Sequence, residues 1–192
     1  LCDYQNAIDS YQNSLKINNN QAGVFYNLGN AYAKLGGFDL AINSYSQAIQ
    51  LQPNYIEALN NCGIAYKELK KYSEAANCYE KALLINPNYA ETYCNLGILY
   101  TSMTQIPLAL HNFDKAIALK PDYAEAFNNR GVAFNELMDL NSAIINYQKA
   151  IELYPGYADA HYNKGYALLL QGNLQQGLLA VSYTHLTLPT IL

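Results

Sequence analysis

The sequence predicts an all-α protein assembled as an array of short helix pairs, and three observations predict it. Gly29, Gly63, Gly97, Gly131 and Gly165 stand 34 residues apart, and self-similarity at a fixed period of that size marks stacked repeats rather than one globular core. Pro53, Pro87, Pro121 and Pro155 keep the same period, as do the columns Ala41, Ala75, Ala109, Ala143 and Ala48, Ala82, Ala116, Ala150. Within a unit the large apolar residues recur at three- and four-residue steps, as in Phe25, Leu28, Tyr32 and Leu35, which lays one helix face against a core. The 192 residues therefore divide into small units.

Each unit opens with that first helix. A second helix is predicted to start after a turn at Asp39, Ser73 or Asn141, whose side chains can accept from exposed backbone N–H groups at an N-cap, with Pro107 in the same slot of the third unit. It ends at the proline column, because proline cannot continue a helix, and Gln52-Pro53-Asn54-Tyr55 and its counterparts read as turns between units. A glycine inside a helix costs about 1 kcal/mol against alanine, so its return at one interior place predicts close backbone approach between paired helices. The alanine columns serve the same packing. The aromatic columns Tyr32, Tyr66, Tyr100, Phe134; Tyr45, Tyr79, Phe113, Tyr147; and Tyr55, Tyr89, Tyr123, Tyr157 fill the wedge between one pair and the next. They absorb most of the 19 tyrosines of a chain that has no tryptophan.

Composition excludes several classes. The chain is 51% apolar but only 14% charged, about half the usual charged fraction of ~25%, which is not the make-up of a charge-rich disordered chain. A net charge of −4 offers no basic footprint for phosphate backbones, so no nucleic acid is expected as a partner. No run of about 20 apolar residues could span a bilayer, so no membrane is expected either. Cys2, Cys62, Cys78 and Cys94 show no CxxC spacing and no clustered histidine. They read as small buried hydrophobes in a reducing, cytoplasmic compartment, with a disulfide or a metal as the alternative role.

The segment Leu28-Gly29-Asn30-Ala31-Tyr32, the alanine columns and the proline near each unit's end resemble the tetratricopeptide repeat (TPR) family over residues 22–180. The resemblance implies a right-handed superhelical solenoid of antiparallel helix pairs, with the first helix of each pair lining a concave binding surface. It sets units at 22–55, 56–89, 90–123 and 124–157 and a partial unit at 158–180. Residues 1–21 are then the second helix of a truncated unit, with Ala7 and Tyr11 in register, so the N-terminus is expected to cut through a repeat. In the fifth unit Val181 takes the aromatic slot and Thr184 the alanine slot, and Pro189 alone keeps its column. Val181-Ser182-Tyr183-Thr184-His185-Leu186-Thr187-Leu188-Pro189-Thr190 resembles a translated sequencing adapter, so 181–192 are expected to be a non-native tail. A degenerate capping helix is the alternative.

The sixth residue of every unit is asparagine: Asn27, Asn61, Asn95, Asn129 and Asn163. Its neighbours drift, reading Tyr26, Asn60, Cys94, Asn128, Tyr162 on one side and Leu28, Cys62, Leu96, Arg130, Lys164 on the other. An amide carries both donor and acceptor, so such a row can bind the backbone of an extended peptide without reading its side chains. The row resembles the asparagine ladder of O-linked N-acetylglucosamine transferases. The alternative is that these asparagines suit a solvated face or bond the adjacent unit. The second residue of later units is acidic, Glu57, Glu91, Glu125 or Asp159, which argues against the cationic carboxylate clamp of chaperone-tail-binding relatives and favours the positive end of the helix.

No catalytic constellation, phosphate loop, metal motif or cofactor motif appears. His111 and His161 are far apart in the repeat, His185 falls in the tail, and His161 occupies the slot of Phe25, Leu59, Tyr93 and Phe127, a packing position. The leading function is a non-enzymatic scaffold for proteins or extended peptides. The alternative is the substrate-recruiting arm of a longer glycosyltransferase. It rests on Ala160-His161-Tyr162-Asn163-Lys164-Gly165, with Leu168-Leu169-Leu170-Gln171-Gly172-Asn173 and Gly177, which resembles the last repeat before the catalytic domain in bacterial enzymes of that kind. Self-association through uncapped apolar ends is a third expectation.

Overall fold

The computed structural model describes residues 2–179; the segment 181–192, with His185, lies outside them. The described residues form ten helices: α1 (Cys2–Ile17), α2 (Ala22–Lys34), α3 (Phe38–Leu51), α4 (Ile56–Glu68), α5 (Tyr72–Ile85), α6 (Ala90–Ser102), α7 (Ile106–Leu119), α8 (Ala124–Glu136), α9 (Leu140–Leu153) and α10 (Ala158–Leu170). Residues 174–179 are helical again. The chain falls into two compact units, residues 1–95 and 96–192, with α6 beginning in the first and ending in the second. In the first unit each of α1 to α4 packs on the helix that follows it, and α2 also touches α4. In the second, α7 to α10 pack in the same serial way, and α8 touches α10.

The glycine column works differently from the close backbone approach expected of it. A Cβ built on Gly29 would stand 2.5 Å from a ring carbon of Tyr45, one on Gly63 2.5 Å from Tyr79, one on Gly97 2.5 Å from Phe113 and one on Gly131 2.6 Å from Tyr147. The ring of the second helix therefore lies on the bare backbone of the first, 16 residues earlier in each case. These rings are among the largest fully buried side chains; each fills a notch inside its own helix pair, and Tyr45 and Tyr147 also pack on the next pair, against Cys62 and Ala65 and against Ala167. Both alanine columns are 0% exposed, leaving no room for a larger group on the second helix.

The N-caps also differ from expectation. The second helices begin at Phe38, Tyr72, Ile106 and Leu140, one residue before Asp39, Ser73, Pro107 and Asn141, so those residues sit inside the first turn. The capping positions belong to Gly37, Lys71, Gln105 and Asp139. Only Asp139 caps with its side chain, accepting from the Ser142 N–H at 3.1 Å. That bond draws the Asp139 carboxyl below the ordinary carboxylate range.

The loops between paired helices explain the shift. Gly36, Lys70, Thr104, Met138 and Gly172 all take positive φ, between 57° and 87°. The N–H of the following residue reaches five residues back in every loop, as from Gly37 to the Tyr32 carbonyl and from Lys71 to that of Tyr66. This is a Schellman closure, whose left-handed residue glycine occupies without strain. The carbonyls of the last helical turn are satisfied there, and the next helix starts at once. At the other junction the Tyr55 N–H reaches the Gln52 carbonyl at 3.0 Å, a turn with Pro53 in its second position.

One polar pair is kept in the first repeat and lost in the next. The Tyr45 hydroxyl donates to Asn30 Oδ1 at 2.8 Å. Burial, reinforced by the neighbouring Tyr26, raises its pKa and keeps it a donor. The equivalent of Asn30 is Ile64, and the Tyr79 hydroxyl is buried with no hydrogen-bond partner. In the third repeat the pair has become Ile98 and Phe113, apolar on both sides.

Two outcomes test this packing. Gly63→Ala gains about 1 kcal/mol of helix propensity, but overpacking against the Tyr79 ring costs roughly 1–3 kcal/mol, so the melting temperature falls. Thr104→Gly removes a β-branched residue from φ 57° and raises stability by about 1 kcal/mol in denaturant melts.

Candidate functional site

The asparagine column lies on the first helices, and the first unit shows what it bonds. Asn61 Nδ2 donates to Asn30 Oδ1 at 3.0 Å and to the Tyr26 hydroxyl at 3.2 Å. Both of its N–H groups are thereby committed to the preceding repeat. Asn95 Nδ2 donates to Asn60 Oδ1 at 3.0 Å, an oxygen that also accepts from the Thr92 hydroxyl at 3.1 Å. In the second unit Asn163 Nδ2 donates to Asn128 Oδ1 at 3.1 Å, and Asn128 Nδ2 approaches Asn129 Oδ1 at 3.5 Å. Three of these bonds, from Asn61 to Tyr26, Asn95 to Asn60 and Asn163 to Asn128, run from the sixth residue back to the fifth residue one repeat earlier. Asn27 makes no such bond and is exposed.

The fifth residues Asn60 and Asn128 are buried, 7% and 4% exposed, and act as the acceptors of the network. In the sequence they belong to a column that drifts between tyrosine, asparagine and cysteine. The available signal was chemical rather than literal: Tyr26, Asn60 and Asn128 all offer an oxygen 35 residues before a ladder asparagine. These bonds use the N–H side of Asn61, Asn95 and Asn163. Their carbonyl oxygens stay out of the network.

Three cavities open on this face. In the first unit Asn27, Asn30 and Lys34 of α2 face Tyr4, Ala7 and Tyr11 of α1 around a space of about 230 Å³. Asn30, Ala33 and Lys34 with Asn61, Ile64 and Ala65 of α4 then enclose about 390 Å³ over Phe38 and Tyr45. In the second unit Ile98, Thr101 and Ser102 of α6 and Asn129 and Val132 of α8 enclose about 100 Å³ over Phe113. The last two are the same place two repeats apart, a gap between first helices floored by the ring that sits on glycine. Their chemistry differs. Asn30 and Lys34 line one, whereas Thr101 and Ser102 turn their hydroxyls to the carbonyls of Gly97 and Ile98 in the other.

A larger cavity of about 540 Å³ in the second unit is lined by Arg130, Lys149, Lys164, Phe127, Ile144 and Leu168, among others. Arg130 and Lys164 stand where earlier repeats carry Leu28, Cys62 and Leu96. Arg130 is held by Asn146 Oδ1 at 2.7 Å and Asp114 at 2.6 Å and lies over the Phe127 ring, while Lys164 donates to Gln148 at 2.6 Å. Both cations thus tie neighbouring helices.

The remaining candidates separate cleanly. Glu57, Glu91, Glu125 and Asp159 each sit in the first turn of a first helix, where the helix dipole favours an acid. His161 Nε2–H donates to the Pro155 carbonyl at 2.8 Å, and His111 is exposed on α7. Cys62 and Cys94 are buried and Cys78 half-buried. Among the described residues no three His, Cys, Asp or Glu side chains gather as a metal site, and no helix is long and apolar enough to cross a membrane.

Comparison with known proteins places this geometry. A family model described as TPR repeat matches residues 3–36, 33–70, 65–104 and 99–137, and two described as tetratricopeptide repeat match 124–157 and 146–178. No curated protein matches the sequence. Among solved structures the chain is similar to PilW, described as a widely conserved type IV pilus biogenesis factor, at 23% identity and a TM-score of 0.86 over 98% of this chain and 87% of that one. It is similar to YrrB, described as a TPR protein with an unusual peptide-binding site, at 23% identity and 0.63 over 96% and 95%. It is also similar to residues 41 to the end of MamA from Desulfovibrio magneticus RS-1, at 22% identity and 0.70 over 85% and 93%.

The bonds between repeats predict a contrast in stability. Asn95→Ala, which strips a donor from Asn60, lowers stability by about 0.5–1.5 kcal/mol in urea melts. Asn27→Ala, an exposed residue outside the network, stays within roughly 0.5 kcal/mol of the parent. Equal losses for the two would show that the network does not stabilise the stack.

Proposed function

Because the chain belongs to the tetratricopeptide repeat family, we propose that it is a non-catalytic interaction scaffold that takes extended peptide segments of partner proteins along the face of its first helices. The observation that carries this reading is the placement of the asparagine column, Asn27, Asn61, Asn95, Asn129 and Asn163, on that face, beside the cavities lined by Asn27, Asn61 and Asn129. Repeat proteins of this kind use such extended faces for binding. The similarity to YrrB, whose structure is described as having a peptide-binding site, supports the same ligand class.

The network sharpens the chemistry. Asn61, with both N–H groups committed, meets a ligand with its oxygen, and Asn95 and Asn163 likewise spend an N–H on a neighbour. A row of oxygens calls for backbone N–H donors at the spacing of an extended strand. Side-chain identity is then read by the cavities between the asparagines. The one beside Asn61, lined by Lys34, and the one beside Asn129, lined by Thr101 and Ser102, select different residues.

Peptides selected from a displayed library against the full chain test the proposal. Methylating the backbone nitrogens of a selected peptide abolishes capture, because the oxygens lose their donors. Asn61→Ala with Asn95→Ala weakens capture by about tenfold, as two net hydrogen bonds of roughly 0.5–1.5 kcal/mol each imply. Asn27→Ala, which leaves the fold intact, weakens it about threefold. Capture that survives all three changes places the peptide elsewhere.

A further inference from the structure

Cys62 of α4 and Cys78 of α5 meet across the helix pair of the second repeat. They are 16 residues apart, the separation that also sets Tyr79 on Gly63 and Arg130 against Asn146 across a helix pair. Cys62 immediately precedes Gly63, on which the ring of Tyr79, the neighbour of Cys78, lies. Cys62 lies in the buried cluster with Ala41, Tyr45 and Ala65, and Cys78 packs against that cluster. Both residues line one open cavity of about 350 Å³, together with Tyr66, Glu74 and Lys81. Cys62 is 2% exposed, whereas Cys78 is half-buried and reachable through the cavity.

We propose that Cys62 and Cys78 form a redox-active dithiol that a hydroperoxide converts to a disulfide across the α4–α5 pair. Cys78 is the attacking group. A hydrogen bond from the Cys62 thiol, with help from the Lys81 ammonium, holds its pKa below the ordinary thiol value against burial and Glu74. The same bond, together with burial, pushes Cys62 up, so it remains protonated until its turn. The Cys78 thiolate attacks the terminal peroxide oxygen, the O–O bond breaks, and the departing alkoxide takes a proton to leave as an alcohol. The sulfenic acid so formed is attacked by Cys62: the S–S bond forms, the S–O bond breaks, and hydroxide leaves with the Cys62 proton as water. Two thiols are oxidised and one hydroperoxide is reduced. A neighbouring thiol that resolves a sulfenic acid is what keeps such chemistry reversible.

Treating the full chain with a hydroperoxide and mapping its peptides by mass spectrometry tests this directly, without any substitution. The expected product is a Cys62–Cys78 cross-linked peptide pair, two hydrogens lighter than the reduced pair and restored by a dithiol reductant. In Cys62→Ala the sulfenic acid at Cys78 persists and is trapped by dimedone; in Cys78→Ser the cross-link is lost and Cys62 stays reduced; Cys94→Ser leaves the cross-link unchanged. Oxidation of Cys62 in Cys78→Ser, or a parent chain in which Cys78 is oxidised without joining Cys62, overturns the proposal.

Discussion

An aromatic ring laid on a glycine organises the packing of each unit. Tyr45, Tyr79, Phe113 and Tyr147 rest on Gly29, Gly63, Gly97 and Gly131, with no space for a methyl group between. Placing the largest side chain of the second helix on the smallest residue of the first lets two helices close without a void. Interiors packed to crystal-like density leave little choice elsewhere. The alanines at 0% exposure are the consequence on the second helix, where any larger residue would push the ring out of its notch. The rings of Tyr45 and Phe113 also line the cavities beside Asn61 and Asn129, so packing and the candidate site share atoms there.

That coupling explains how the polar chemistry varies without disturbing the stack. Where Asn30 stands opposite Tyr45, the hydroxyl has a partner, and both residues line the cavity. Where Ile98 stands opposite Phe113, both partners are gone together, and Thr101, Ser102 and Asn129 supply the polar groups of the cavity. The Ile64–Tyr79 pair lies between these states, with a buried hydroxyl left without a partner. A single lost hydrogen bond of that kind costs about 1–3 kcal/mol, which a stack closed by rings, alanines and five Schellman loops accommodates.

Much of this was legible in the sequence because packing columns must repeat literally. A glycine under a ring and an alanine against a neighbouring helix admit few substitutes, so the 34-residue period and the helix pairs could be read directly. The physical reason for the glycines could not, since periodicity does not show which residue approaches Gly63. The helix starts were misplaced because the cue for capping was a side chain, whereas three of the four caps are made by loop geometry alone. The left-handed column went unseen because Lys70, Thr104 and Met138 do not announce a positive φ as Gly36 does. The acceptors Tyr26, Asn60 and Asn128 were hidden for another reason: a column that needs only an oxygen can change its residue and keep its role.

The hydrogen bonds between repeats also carry a rule for exchange. Any repeat that brings an oxygen in its fifth place can receive the amide of the repeat after it, whether that oxygen belongs to tyrosine or asparagine. Duplication, loss or transplantation of a whole repeat therefore needs that donor and acceptor to match in addition to the apolar side chains packed between repeats. The array behaves as a chain of couplings with a standard plug and socket, in which length can change while the join stays the same.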